Sequence, residues 1–143
     1  AKMDKKDYRV FCILGDGEMQ EGSVWEAVMF ASHHELKNLT AIIDCNRFQS
    51  CGRTSNIFLL SVSTWRSFGW AVESVEGHHI GALNAALSQS HANVPPHADI
   101  PLVIIAHTQK GKGVSFIETG DKWHTQIPNE TEMAEAKKEL GLS

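Results

Sequence analysis

Basic charge is in short supply. The chain has 143 residues, and 13 Lys and Arg stand against 17 Asp and Glu, a formal net charge of −4. That balance leaves no electrostatic footprint for nucleic acid. Long apolar runs are missing as well; none approaches the roughly 20 residues needed to span a bilayer. The opening residues carry no signal-peptide pattern. Cysteine is sparse and odd in number. Cys12, Cys45 and Cys51 are scattered without paired metal-ligand spacing, which argues against a zinc centre and predicts a reducing, cytoplasmic setting. They read as small core or near-site residues. Internal repeats and low-complexity tracts are also lacking. No initiator methionine opens the short charged stretch Ala1 to Asp7. That stretch predicts a fragment, a processed product or one piece of a split protein, folded as a single, partial domain over 1–143.

What is present centres on Phe11 to Thr54. The apolar, β-branched run Arg9 to Leu14 reads as a buried strand and stops at Gly15-Asp16-Gly17. A second run, Leu39 to Ile43, stops at Asp44-Cys45-Asn46. Between them Ser23 and Glu26 have capping-box spacing before a helix over Val24 to Leu36. That helix is apolar on almost every side and predicts burial against the sheet on one face and a partner chain on the other.

The remaining chain predicts a loop over Asn46 to Ser63 and a short helix ending near Phe68, with Gly69 as its stop. A third strand follows over Trp70 to Val75, then an amphipathic helix over His79 to His91, with Ile80, Leu83 and Leu87 on one face. Pro95-Pro96 marks a loop over Ala92 to Asp99. Leu102 to Ala106 reads as a fourth, fully buried strand. Gly111 to Pro128 is glycine-punctuated and reads as irregular. Asn129 and Glu132 predict a capped last helix reaching Leu140, with Met133, Ala136, Lys137 and Leu140 along one side. Alternating strands and helices indicate an α/β fold, a parallel sheet with helices on both faces.

In such sheets ligands bind beyond the C-terminal strand ends. Here those ends carry a carboxylate, Asp16, and an amide, Asn46. A magnesium ion takes near-octahedral oxygen ligands, few of them from protein and the rest from phosphate and water. Asp16, Asn46 and a backbone carbonyl just past Asn46 would suit it. Gly15 and Gly17 would let backbone N–H groups approach a diphosphate. The same Gly-Asp-Gly is also ordinary turn chemistry.

Gly-Asp-Gly, 28 intervening residues and Asn46 resemble the thiamine-diphosphate motif. The flanking Glu18-Met19-Gln20-Glu21-Gly22-Ser23-Val24-Trp25-Glu26-Ala27 resembles transketolase, in particular the N-terminal subunit of split transketolases. Asn46-Arg47-Phe48-Gln49, Phe68-Gly69-Trp70, Gly77-His78, Lys110 to Phe116 and Trp123-His124 follow in that family's order. The resemblance covers nearly the whole chain.

It implies a divalent metal (Mg²⁺, or Ca²⁺ or Mn²⁺) on Asp16, Asn46 and the carbonyl of Phe48. It implies thiamine diphosphate against Gly15, Gly17 and Glu18, the last two through backbone N–H groups. His124 would face cofactor phosphates and sugar substrate, orienting a hydroxyl or passing a proton. Glu21 and Glu26 would belong to a network joining two active sites, though Glu26 also suits a helix N-terminus. The other histidines read as structural. Lys110-Gly111-Lys112-Gly113 lacks phosphate-loop spacing and reads as a flexible loop at the crevice, where a phosphate contact from Lys110 or Lys112 stays open.

Three departures bear on substrate: Ser50 replaces an apolar residue near the thiazolium, Cys51 an aspartate, and Thr125 a glycine. The family's upstream phosphate-contacting loop and its pyrimidine-binding domain are not in this sequence. The resemblance therefore implies one part of a dimer or heterotetramer, its partner chain supplying both, and inactivity alone. The implied reaction moves a two-carbon ketol unit between sugar phosphates, the cofactor acting as electron sink for C–C cleavage. Two alternatives stand beside it. One is another thiamine enzyme, of the deoxyxylulose-phosphate synthase or 2-oxo acid dehydrogenase type; the other is an inactive truncated partner chain.

Overall fold

Four parallel strands carry the molecule. The structure, a computed structural model, describes residues 1–57, 60–89 and 99–142. Strand β1 is Val10–Gly15, β2 is Leu39–Cys45, β5 is Ala71–Glu76 and β6 is Leu102–His107. They lie in the order β1-β2-β6-β5. The register runs Gly15 opposite Asp44 and Cys45 opposite His107, so both motif-bearing strands end at one rim. The two-residue strands β3, Phe48–Gln49, and β4, Gly52–Arg53, pair antiparallel beyond β2. The expected loop there therefore contains a small ribbon, followed by a 3-10 turn over Thr54–Asn56.

Helices cover both faces, as the strand alternation requires. On one side α1, Gly22–His33, and α2, Val62–Ser67, bury Val28, Ala31 and Trp65 against Ala41, Ile43, Val103 and Ile105. Trp65 is fully enclosed, 5.5 Å from the Trp25 ring and 5.1 Å from Trp70. On the other side α3, Ile80–Gln89, sets Ala86 on Leu102 and Ile104. The chain then closes with α4, Ser115–Glu118, and α5, Glu130–Glu139. The expected third and fourth strands are present, and Gly69 stops α2 at φ +81, as a helix stop requires. In α5 the Asn129 side chain accepts from Glu132 N–H and the Glu132 carboxylate from Asn129 N–H, both at 2.9 Å. The expected helix end at His91 and the loop over 92–98 lie outside the described residues.

Several expectations are corrected. β1 is not buried: it is the edge strand, with Val10, Phe11 and Cys12 exposed and Ile13 73% exposed. Phe11 and Ile13 share the α3 face with Ile42, but α3 packs over β5 and β6 with Ile42 at its margin, and among the described residues no helix covers β1 on that face. Helix α1 starts earlier than expected. Its N-cap is Glu21, and Ser23 lies inside the first turn, so the Ser23–Glu26 box does not form. On the side of α1 away from the sheet, where the sequence predicts a partner chain, Met29 is 48% and Phe30 61% exposed in this chain alone. Ile80 also points outward, the α3 core face being Ala86 and Leu87. The stretch Gly111 to Pro128 holds α4 and a 3-10 turn, Asp121–His124.

Candidate functional site: a cleft at the strand tips

β1 runs straight into a 3-10 turn, Asp16–Gln20, with Gly15 as its N-cap. The Glu18 carboxylate folds back to accept the Gly15 N–H at 2.6 Å. Met19 fills the core beneath the turn, and Trp25 Nε1 donates to its carbonyl at 2.7 Å. A side chain on Gly17 would bring its Cβ within 3.1 Å of Gln49 Cβ. Glycine there lets β3 close on the turn.

Asp16 is buried, 4% exposed. Its Oδ2 accepts the Arg47 N–H at 2.6 Å and the Thr54 hydroxyl at 3.3 Å. Among the described residues no cationic side chain pairs with it. Burial pushes the Asp16 carboxyl above its ordinary value; the Arg47 N–H and Thr54 hydroxyl pull it back, and the charge of Asp44 adds to the rise. The Asn46 side chain is held on both sides. Its Oδ1 accepts the Phe48 N–H at 2.9 Å and its Nδ2 donates to Asp44 at 3.4 Å. Thr108 Oγ1 also donates to Asp44.

His124 arrives from the far end of the chain. Trp123 anchors it, donating from Nε1 to the Phe116 carbonyl at 3.0 Å and meeting the Phe116 ring edge-on at 5.2 Å. Gly111 matters to this loop: its φ is +68, and a Cβ there would lie 2.1 Å from Ile117 Cγ2. Lys110 Nζ stands 3.3 Å from His124 Nδ1. The lysine thereby places a cation at the imidazole.

These segments enclose one cleft of about 480 Å³. Gly15, Asp16, Gly17, Glu18 and Glu21 line it from the first strand end, Asn46 and Phe48 from the second, and His124 from the 3-10 turn. Glu26 stands apart from these expected residues, on the exposed surface of α1. Gln20, Gln49, Ser50 and Cys51 line the cleft too. The amide nitrogens of Gln20 and Gln49 are buried without a partner among the described residues. Thr54 grips Asp16 as well, and sequence reasoning misses it, because nothing marks it apart from any other loop threonine.

Asp16, Asn46 and the Phe48 carbonyl are oxygen donors of the kind a hard cation takes. No group of three His, Cys, Asp or Glu among the described residues is placed to hold a metal. A metal here would rest on one carboxylate, one amide oxygen and one carbonyl, its other positions open to ligand oxygen and water. The unpaired buried charge of Asp16 favours such an ion.

The chain matches, over residues 1–143, the family described as transketolase, thiamine diphosphate binding domain. It is 40% identical over 143 residues to an apulose-4-phosphate transketolase subunit from Phocaeicola vulgatus, across 98% of this chain and 49% of that one. Against human transketolase the identity is 41% over 123 residues, across 85% of this chain and 19% of the human one. The crystal structure of transketolase from Campylobacter jejuni superposes with a TM-score of 0.83 at 31% identity, across 98% of this chain and 22% of that chain. The chain thus spans about half the length of its subunit-type relatives and about a fifth of the longer ones.

Proposed function

The chain belongs to the transketolase thiamine-diphosphate-binding family, and from that premise we propose that it holds the metal–diphosphate end of the cofactor in a split transketolase. The reaction is two-carbon ketol transfer between sugar phosphates. The observation that carries the reading is the cleft itself, which gathers Asp16, Asn46, Phe48 and His124 from three separated segments.

Asp16 Oδ, Asn46 Oδ1 and the Phe48 carbonyl would hold Mg²⁺, or Ca²⁺ or Mn²⁺ in its place. A carboxylate has about four acceptor sites and an amide oxygen two. Asp16 and Asn46 therefore keep capacity beyond the hydrogen bonds that orient them. The backbone at Gly17 and Glu18 would face the diphosphate, with Gly15 leaving room beside it. When bound, the cofactor supplies the electron sink for C–C cleavage. His124, with Lys110 at its Nδ1, would hold a substrate hydroxyl or move a proton at Nε2. Glu21, at the N-cap of α1, would carry its charge toward the partner.

Two bare apolar surfaces support a partner chain. Among the described residues β1 pairs only with β2, so its outer edge beside Phe11 and Ile13 invites continuation of the sheet. The outer side of α1 offers Met29 and Phe30. The partner would supply the rest of the sheet and the pyrimidine-binding domain, in a dimer or heterotetramer in the cytoplasm. The 1–143 segment is then one partial domain. Apulose 4-phosphate, which names the relative above, is the first ketose phosphate to try.

Calorimetric titration of the assembled protein with thiamine diphosphate and Mg²⁺ tests the reading, alongside a coupled ketol-transfer assay. Cofactor affinity should depend on Asp16 and on the metal, and the chain without its partner should be inactive. Unchanged affinity in Asp16→Ala would overturn the assignment.

A further inference from the structure

Asp16 is a wall with two sides. Behind it, away from the cleft, lies a second cavity of about 400 Å³ lined by Arg47, Arg53, Ser55 and His107 as well as Asp16 and Thr54. Of the residues proposed to hold the cofactor, only Asp16 lines this second cavity. We propose that this cavity is an anion site that takes a phosphate group, free or carried on a small ester.

Charge is the first support. Two guanidinium side chains border one hollow, and neither has a carboxylate within ion-pairing distance among the described residues. The Arg53 guanidinium is steadied over the Phe48 ring at 5.0 Å to the centroid, which reduces the entropy lost when it grips a ligand. The one acid on the wall, Asp16, is engaged through Oδ2 by the Arg47 N–H and the Thr54 hydroxyl. Planar guanidinium forks match phosphate oxygens in pairs.

Backbone geometry is the second. Arg47 sits at φ +71, a left-handed conformation that glycine adopts freely and a long side chain does not. A side chain kept at such a position, facing a cavity, is the kind of strain that accompanies function.

The third is His107. Its Nε2 lies 2.8 Å from Ser74 Oγ, while Nδ1 is buried with no partner among the described residues. The imidazole therefore brings unspent hydrogen-bonding capacity to the same wall. The cavity's size falls within the range of small-ligand sites, about 300–1,000 Å³, and leaves room for more than a bare phosphate.

Side-chain NMR of the full chain in its assembly tests this, following the Arg47 and Arg53 Nε–H signals during titration with inorganic phosphate, glycerol 3-phosphate and acetate. Both signals should shift saturably with phosphate or its ester, and not with acetate. Binding of the ester alone would identify the source as esterified phosphate; binding of both would assign recognition to the phosphate group itself. Arg47→Gly and Arg53→Gln should each weaken binding about tenfold or more. Arg47→Gly relieves the backbone strain, so its unfolding midpoint should equal or exceed that of the wild type, and loss of binding cannot be laid to misfolding. His124→Asn, in the cleft across the wall, should leave the titration unchanged. Acetate binding as well as phosphate, undiminished affinity in both arginine variants, or equal loss in His124→Asn would each overturn the proposal.

Discussion

The backbone N–H of Arg47 donates to the carboxylate of Asp16 at 2.6 Å. One strand tip thus holds the other's acid in place before any ligand arrives. Residues 31 apart in sequence are tied together by that contact, which fixes the carboxylate's direction at the cleft.

Asp16→Asn keeps the shape and both hydrogen bonds of that element but removes the charge. Cofactor affinity in the presence of Mg²⁺ should fall about 100-fold. Unfolding of the chain without ligand should move the other way, with stability rising by about 1 kcal/mol as a buried unpaired carboxylate disappears. Calorimetry and urea unfolding read the two effects separately. A variant that lost both affinity and stability would mean the carboxylate is structural.

The same group sets a pH dependence with an uncommon sign. The folded Asp16 carboxyl titrates above its ordinary value of 3.8. Between that value and the raised one, the native chain holds a proton that the unfolded chain has released. Stability from this group therefore falls as pH rises through that window and is lowest above it. Below 3.8 both states are protonated and the contribution no longer changes with pH. The urea midpoint of the wild type, minus that of Asp16→Asn, should decline across the window; a flat difference would contradict the burial argument.

His124→Ala should lower turnover of the assembled enzyme about 100-fold, the range for loss of a positioned acid–base group. Cofactor affinity should change far less. Lys110→Met should reproduce part of the loss, since Lys110 Nζ lies 3.3 Å from the imidazole. Steady-state kinetics with saturating cofactor separate the two variants from a binding defect.

Trp65 should dominate the stability of the α1–α2 side. It is fully enclosed between Trp25 and Trp70, and Trp65→Ala should cost about 3–5 kcal/mol. Trp65→Phe should cost much less, because the indole N–H it removes is buried without a partner among the described residues. Chemical denaturation checks both.

Ile13→Lys tests the bare edge. Ile13 is 73% exposed, so the substitution should alter the stability of this chain by no more than about 0.5 kcal/mol. It should nevertheless abolish association with the partner, measured by analytical ultracentrifugation. Normal assembly would mean that the β1 face is not an interface.

Much of the architecture is readable from residue order alone. Leu102 to Ala106 could hardly be anything but a central parallel strand, and the Asn129–Glu132 pair announces α5 by its own chemistry. Gly-Asp-Gly and Asn46 end adjacent strands because the register places Gly15 beside Asp44. What stays hidden depends on long-range context. An apolar run such as Val10 to Leu14 looks the same whether its cover comes from this chain or another, since periodicity reports amphipathicity and not the supplier of the other face. Helix α1 has the same ambiguity at Phe30. The β3–β4 ribbon is too short to have a period. Thr54 and the Arg47–Arg53 cavity arise only when that ribbon folds back on Asp16, a contact across 38 residues.

The indole of Trp25 hangs from the carbonyl of Met19, and Met19 belongs to the turn that carries Asp16. Trp25 also lies against Trp65 and Phe68. Any shift of that turn as the cleft fills would therefore reach an indole set at a tilt against two other aromatic rings. Ultraviolet emission of the unlabelled assembly should therefore change on titration with thiamine diphosphate and Mg²⁺, and Trp25→Phe should remove that part of the signal.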